Sequence, residues 1–267
     1  MSLGGERSGA GRRRALGQNF LIDPEIAFRT VHAAEVQAGD SVLEIGPGQG
    51  MLTRPLLAAG AEVFAVEIDE RLAAKLESED HEGLTVERAN FLRLDLERLP
   101  PGPMLVVANL PYSTGTAIVE RLLTEPARFP RIVVMLQKEV ADRLAAKPGS
   151  RAYGSLTVLT ALWAKAEIVL DVPAACFRPR PKVESAVVRL DVSVEPRIEI
   201  ADREQFRKVV RAAFAQKRKM LRNTLRAAFG DEAGAALERA GIDGRRRAET
   251  LALEEFAVLT REVGGLA

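Results

Sequence analysis

Four residues, Asn109-Leu110-Pro111-Tyr112, combine the groups needed to hold and stack a nucleobase. Asn109 offers an amide oxygen. Pro111 stiffens the turn and leaves the Leu110 carbonyl without a competing local N–H, and Tyr112 presents a flat aromatic face. Two acceptors so placed can take both protons of an exocyclic amine while its ring lies on the tyrosine. The apolar run Met104-Leu105-Val106-Val107-Ala108, opened by Pro100-Pro101-Gly102-Pro103, reads as a buried parallel strand. That reading puts the tetrapeptide at the carboxyl end of a strand, where open α/β sheets bind ligands. An ordinary strand-ending turn uses the same residue types, so the tetrapeptide alone leaves both readings open.

Upstream, Ser41-Val42-Leu43-Glu44-Ile45 predicts a strand, and Gly46-Pro47-Gly48-Gln49-Gly50 predicts a turn into a helix over about 51–59. Glycines there let a ligand lie against the backbone and the helix N-terminus. The next strand, Glu62 to Val66, ends in Glu67, about 20 residues after the first loop glycine, where a carboxylate can accept both hydroxyls of a ribose. The glycine pattern is G-x-G-x-G, without the third glycine that a dinucleotide fold places for pyrophosphate. A loop free of phosphate duty suits S-adenosylmethionine better than a nicotinamide dinucleotide, and no hydride-handling group accompanies it. Asn90, after the strand Leu84 to Arg88, can meet an adenine amine through its amide oxygen or cap a turn.

The elements that must position these residues alternate. Helices are predicted from Pro24, capped by Asp23, to about Glu35, and over about 70–79 and 116–123, with a strand over Ile132 to Leu136 and another helix starting near Lys138. Strands Ile168 to Val172 and Ser185 to Leu190 are joined by too short a loop for a parallel crossover and read as an antiparallel addition to the sheet edge. Their connection, Phe177-Arg178-Pro179-Arg180-Pro181-Lys182-Val183-Glu184-Ser185, sets an aromatic beside Arg178, Arg180 and Lys182 on a stiff backbone. It is either a rigid edge connection with solvated charges, or a substrate contact in which Phe177 stacks and the cations meet phosphate. Past a linker over 192–200, Phe206, Val210, Phe214, Leu221 and Leu225 recur at helical spacing as one buried stripe, with Lys217, Arg218, Lys219 and Arg222 largely off it. The expected organisation is a mobile basic arm over 1–17, a catalytic α/β domain over 18–195 and a small all-α domain over 196–267.

Composition bounds the possibilities. The 267 residues are 47% hydrophobic and 28% charged, which describes a soluble globular protein. No apolar run approaches the roughly 20 residues of a membrane span, and no signal peptide is evident. A single cysteine, Cys176, fits a reducing cytoplasm, and two distant histidines make a metal site unexpected. The net charge of +1 hides a segregation: residues 40–100 carry 13 acidic and 6 basic side chains, whereas residues 203–226 carry 9 basic and 1 acidic. The local basic patch, not the average, is what attracts a polyanion.

With Asn19-Phe20-Leu21, the Glu44–Gly50 loop, Glu67, the Asn109 tetrapeptide and the Phe177–Ser185 loop in series, the chain from about Gln18 onward resembles the rRNA adenine N6,N6-dimethyltransferases, most closely the bacterial small-subunit type. The tail segments Phe214 to Asn223 and Arg247-Ala248-Glu249 carry the likeness further. The resemblance implies a Rossmann-like class I methyltransferase sheet with an antiparallel edge strand, S-adenosylmethionine as cofactor, and two methyl transfers to each of two adjacent adenosines near the end of small-subunit rRNA. It implies that Asn19, Leu21, Gly46, Glu67, Asn90 and Asn109 line the cofactor. Asn109 and the Leu110 carbonyl would take the target amine, Tyr112 and Phe177 would sandwich its ring, and Lys217, Arg218, Lys219 and Arg222 would meet RNA. Asn90 stands where the family usually has an acidic residue. A monomer acting on a pre-ribosomal small subunit is expected. Rival readings are a ribosome-assembly factor without turnover and a large-subunit rRNA methyltransferase.

Overall fold

The computed structural model describes residues 19–264. The basic arm expected over 1–17 lies outside them. The described residues divide into two compact units, residues 19–141 with 168–190, and residues 142–167 with 191–264.

In chain order the first unit begins with β1 (Phe20–Leu21), α1 (Pro24–Ala33), β2 (Ser41–Ile45), α2 (Thr53–Ala58) and β3 (Glu62–Glu67). It continues through α3 (Glu70–Glu77), β4 (Leu84–Arg88), β5 (Leu105–Asn109), α4 (Gly115–Leu122) and β6 (Arg131–Gln137). After α5 (Lys138–Leu144) and α6 (Ser155–Ala161) come β7 (Ala164–Val172), β8 (Phe177–Arg178) and β9 (Ser185–Val192). The seven-stranded mixed sheet runs β4-β3-β2-β5-β6-β9-β7. Five successive strands, from the edge strand β4 to β6, are parallel, with Val42 opposite Val63 and Leu105, and Val106 opposite Ile132. The inner strands β2, β5 and β6 are largely apolar between their ends, as strands buried on both faces of a parallel sheet are. Accordingly Val42, Leu43, Val106, Val107, Ala108 and Ile132 to Met135 are fully buried.

The chain builds outward from β2 through β3 to β4, then returns to β5 on the other side of β2. The tips of β2 and β5 therefore form the switch point of the sheet, where a crevice must open. The glycine loop follows one tip and Asn109 ends the other. Local chemistry fixes the helices around them: Asp23 accepts the Glu25 and Ile26 N–H groups at the start of α1, and Asp69 accepts the Arg71 N–H at the start of α3. Strands β7 and β9 are neighbours, and their connection holds only a 3₁₀ turn (Ala174–Cys176) and β8, not the helix that a crossover requires.

The second unit contains α6 and, after β9, α7 (Arg203–Ala213), α8 (Leu221–Phe229), α9 (Ala233–Arg239) and α10 (Leu253–Gly264). Its core gathers Tyr153, Val158 and Leu162 with Phe206, Val210, Leu221, Leu225 and Phe256. Residues 142–167 thus belong with the C-terminal helices, a grouping that differs from a boundary drawn only at 195. The Tyr153 hydroxyl donates to the Leu251 carbonyl at 2.9 Å, a bond that chain order gives no means of anticipating.

The helical stripe expected to run on through residue 225 is broken between Phe214 and Met220. The hydrogen bonds show a separate helix beginning at Leu221. A continuous helix would send the Leu221 N–H to the Lys217 carbonyl, but it donates to Arg246 at 2.9 Å, and the Arg222 N–H donates to Gly244 at 3.0 Å. Lys217, Arg218 and Lys219 therefore stand exposed on a turn rather than on a helix face.

Candidate active site

A cavity of about 220 Å³ opens at the carboxyl ends of β2, β3, β4 and β5. Asn19, Leu21, Gly46, Glu67, Asn90 and Asn109, drawn from five separate stretches of sequence, all line it, as do Leu110, Pro111 and Tyr112. Phe177 does not. Its side chain is 1% exposed and belongs to the same core cluster as Leu21, its antiparallel partner across the β1–β8 pair. The two-sided stack of Tyr112 and Phe177 is therefore absent from this structure, because strand pairing turns Phe177 into the core. Arg178, Arg180 and Lys182 on the same loop are exposed and lie apart from the cavity lining.

The glycine loop is shaped for close approach. Gly46 (φ 72°) donates its N–H to the Val66 carbonyl at 2.9 Å. Gly48 (φ 58°) donates to Glu67 Oε2 at 3.0 Å, and a Cβ at Gly48 would stand 3.2 Å from the Phe20 ring. Left-handed backbone and a crowded Cβ together make Gly48→Ala a strained change. It is expected to lower unfolding free energy by about 1–3 kcal/mol in a denaturant titration.

Glu67 is 3% exposed, and its second oxygen accepts the Asp69 N–H at 2.9 Å. Burial raises its carboxyl above the ordinary range, opposed by the backbone N–H groups of Asp69, Gly48 and Ile68. Each oxygen keeps a lone pair beyond its backbone bond, which is what a vicinal diol needs. Glu44, one strand inward, is 1% exposed and accepts the Thr53 hydroxyl at 2.6 Å. Burial pushes it up to about 8. Asn90 accepts the Leu92 N–H at 3.0 Å and so caps the 3₁₀ turn Phe91–Arg93 while also lining the cavity. The turn-capping role left open for this residue is the one seen, and its place in the lining leaves it beside any ligand the cavity holds.

At the other end, the Asn109 Nδ2 donates to the Asn19 carbonyl at 3.2 Å. With that donor edge engaged, the amide presents its oxygen as the acceptor. The Leu110 N–H is tied to the Met135 carbonyl at 3.1 Å, and the Pro111 carbonyl accepts the Thr114 and Gly115 N–H groups at 3.1 and 2.8 Å, so the turn leads directly into α4. Gly115 permits this docking, since a Cβ there would fall 2.5 Å from Leu136. The Tyr112 hydroxyl lies 2.6 Å from the fully buried Ser185 hydroxyl, and burial raises the phenol, keeping it protonated. Ser185 thereby joins the Asn109 tetrapeptide to the end of the Phe177 loop. In sequence Ser185 is only the last residue of a loop motif, and nothing local marks it as the anchor of the tyrosine. Phe20, within the Asn19-Phe20-Leu21 motif, and Ile68 also line the cavity without having been singled out as site residues. Among the described residues no cluster of three or more His, Cys, Asp or Glu side chains is arranged for a metal, and no helix is long and apolar enough to cross a membrane.

A model of the family described as ribosomal RNA adenine dimethylase matches residues 10–263. A ribosomal RNA small subunit methyltransferase A from Magnetococcus marinus is 48% identical over 95% of this chain and 92% of its own. One from Bacillus licheniformis is 44% identical over 93% and 90%. Among solved structures, a dimethyladenosine transferase from Plasmodium falciparum superposes with a TM-score of 0.81 at 25% identity, covering 92% of this chain and 98% of its own. The 23S rRNA methyltransferase ErmE superposes with a TM-score of 0.72 at 31% identity over 92% and 100%. By its family match and by these identities over nearly its full length, the chain belongs to the ribosomal RNA adenine dimethylase family.

Proposed function

We propose that this protein transfers methyl groups from S-adenosylmethionine to N6 of two adjacent adenosines near the 3′ end of small-subunit rRNA, dimethylating each, as a cytoplasmic monomer acting on a pre-ribosomal small subunit. The observation that carries the reading is the Asn109 amide, locked by the Asn19 carbonyl so that its oxygen faces the work of accepting an amine proton. The small-subunit assignment rests on the names and the 40–48% identities of the curated relatives.

The residues fit the cofactor. Glu67 offers two partly used carboxylate oxygens to a ribose, and Gly46 and Gly48 allow the ligand against the backbone. Asn90 supplies an amide suited to an adenine, and Asn19 and Leu21 line the same cavity. When bound, the sulfonium supplies an activated methyl group. The protein's own part is to receive and orient the nucleophile. An adenine amine is weak because its lone pair is shared with the ring. Accepting both its protons, at Asn109 and at the Leu110 carbonyl, favours a pyramidal nitrogen, and positioning then supplies much of the rate. No strong base is needed, because the nitrogen becomes acidic once methylated and water can take the proton. The target must leave its stack to enter, and the face of Tyr112, held by Ser185, offsets part of that cost.

Phosphate attraction falls to the exposed cations Arg178, Arg180 and Lys182 in the first unit and Lys217, Arg218, Lys219 and Arg222 in the second. Replacing Lys217, Arg218 and Lys219 together with alanine is expected to weaken RNA binding and to shallow its salt dependence by about two to three phosphate contacts. Filter binding across a salt series checks this, and an unchanged slope would show that the turn only keeps the unit soluble.

The test of the function is transfer of labelled methyl from S-adenosylmethionine to unmethylated small ribosomal subunits, with large-subunit rRNA in parallel and nucleoside analysis of the product. Dimethyladenosine in the small-subunit sample alone is the expected result. Label in the large-subunit RNA alone would overturn the substrate, and no label in either would overturn the reaction.

A further inference from the structure

We infer that Arg121 is a positioning residue for the cofactor, holding the adenine wall of the cavity from behind by way of the helix that follows Asn109-Leu110-Pro111-Tyr112. The inference rests on the cofactor reading above and extends it to a residue outside the cavity lining.

The wall in question is the stretch Ala89 to Leu92, which leaves the sheet after the Ala89 N–H donates to the Glu67 carbonyl at 3.0 Å and passes into the 3₁₀ turn Phe91–Arg93. Such a segment keeps its shape only if its carbonyls are tied down. At its start the Asn90 side chain caps the turn. Beyond that, the guanidinium of Arg121 donates to the Leu92 carbonyl at 3.1 Å and to the Leu94 carbonyl, and lies 5.7 Å from the centre of the Phe91 ring. Phe91 itself is 3% exposed. One planar cation thus fixes two carbonyls and one ring of the same short segment, a task for which the rigid guanidinium fork suits and a lysine does not.

The Nε of Arg121 is buried without a hydrogen-bond partner among the described residues. Burying a donor unpaired is costly, a cost set against the bonds and the ring contact that the rest of the guanidinium makes. The other end of α4 gives that geometry its meaning. The helix starts on the Pro111 carbonyl, Thr114 and Ile118 line the cavity, and Arg121 lies one turn beyond Ile118. Helix α4 is therefore the strut joining the amine-accepting turn to the adenine wall.

A built-in control exists. Arg128 makes the same kind of clamp, donating to the Leu99 and Pro100 carbonyls at 3.0 and 2.9 Å with its own Nε buried and unpaired, but on a loop that does not line the cavity. Loss of either clamp costs stability. Only loss of the Arg121 clamp should reach the cofactor.

The experiment measures binding of S-adenosylhomocysteine and of 5′-methylthioadenosine by calorimetry to the full chain, to Arg121→Met, to Arg121→Lys and to Arg128→Met, with methyl-transfer kinetics alongside. Arg121→Met is expected to weaken both ligands by the same factor, about tenfold, because the defect sits at the nucleoside end they share. KM for S-adenosylmethionine should rise with it while kcat at saturation stays within about twofold, the pattern of lost uniform binding. Arg121→Lys should fall between, and Arg128→Met should bind as the unsubstituted protein does. Unchanged affinity in Arg121→Met, or an equal loss in Arg128→Met, overturns the inference. Should Arg121→Met fail to fold, the lysine variant decides it, and full affinity there overturns it equally. Absence of binding by the unsubstituted protein would instead overturn the cofactor reading on which the inference stands.

Discussion

Asn109→Ala is expected to reduce methyl transfer at saturating substrates by at least about 100-fold while the protein stays folded. The size follows from what the side chain is asked to do. Its oxygen is one of two acceptors that set the lone pair of the target nitrogen, and the effect of such a group is felt in the transition state, where charge builds on that nitrogen. The Asn19 carbonyl holds the amide in one orientation, so no rearrangement is needed when substrate arrives. Removing the side chain also leaves the Asn19 carbonyl without that donor, costing stability by about 1 kcal/mol. Single-turnover transfer, with S-adenosylhomocysteine binding as a check on the cavity, separates the two effects. Near-normal turnover in the variant would show that Asn109 is an ordinary strand-ending residue.

Most of the cavity was legible because its signals are local. Glycines that need left-handed backbone, a carboxylate at the tip of the next strand and an Asn-x-Pro turn after an apolar run each declare themselves within a few residues. The parallel order then brings their strand tips together without further information. Features that depend on distant pairing stayed hidden. Phe177 sits in a run of prolines and arginines that reads as exposed, yet pairing with Leu21 buries it. The Phe206 to Leu225 spacing reads as one helix, yet a turn over 214–220 separates two, and the Leu221 N–H that opens the second goes to the Arg246 carbonyl. Arg121 reads as a charged residue in the last turn of a helix, and nothing in its neighbours announces the carbonyls of Leu92 and Leu94. In each case the deciding partner lies far along the chain, and only the fold selects it.

Glu44 gives the clearest solution test of the site's electrostatics. It is a fully buried carboxyl in an otherwise apolar strand, raised to about 8 chiefly by burial, helped by the nearby Glu67 charge and opposed by the Thr53 hydroxyl and Arg54. In the unfolded chain it titrates in the ordinary carboxyl range, near 4.5. Between those two values the native protein holds a proton that the unfolded chain has released. Stability that is complete below the lower value is therefore lost as pH rises toward the upper one, and the loss levels off above it. Glu44→Gln keeps an acceptor for Thr53 and removes the titration. The variant should lose less stability than the unsubstituted protein over this window, the difference growing to a few kcal/mol near pH 8. Glu67 is raised in the same direction and stays in both proteins, so the difference between their denaturant curves reports Glu44 together with its coupling to Glu67. Parallel curves from pH 5 to 8 would mean that Glu44 stays ionised in the fold, and that the carboxylate beside the cavity is available to a cationic ligand group rather than neutral.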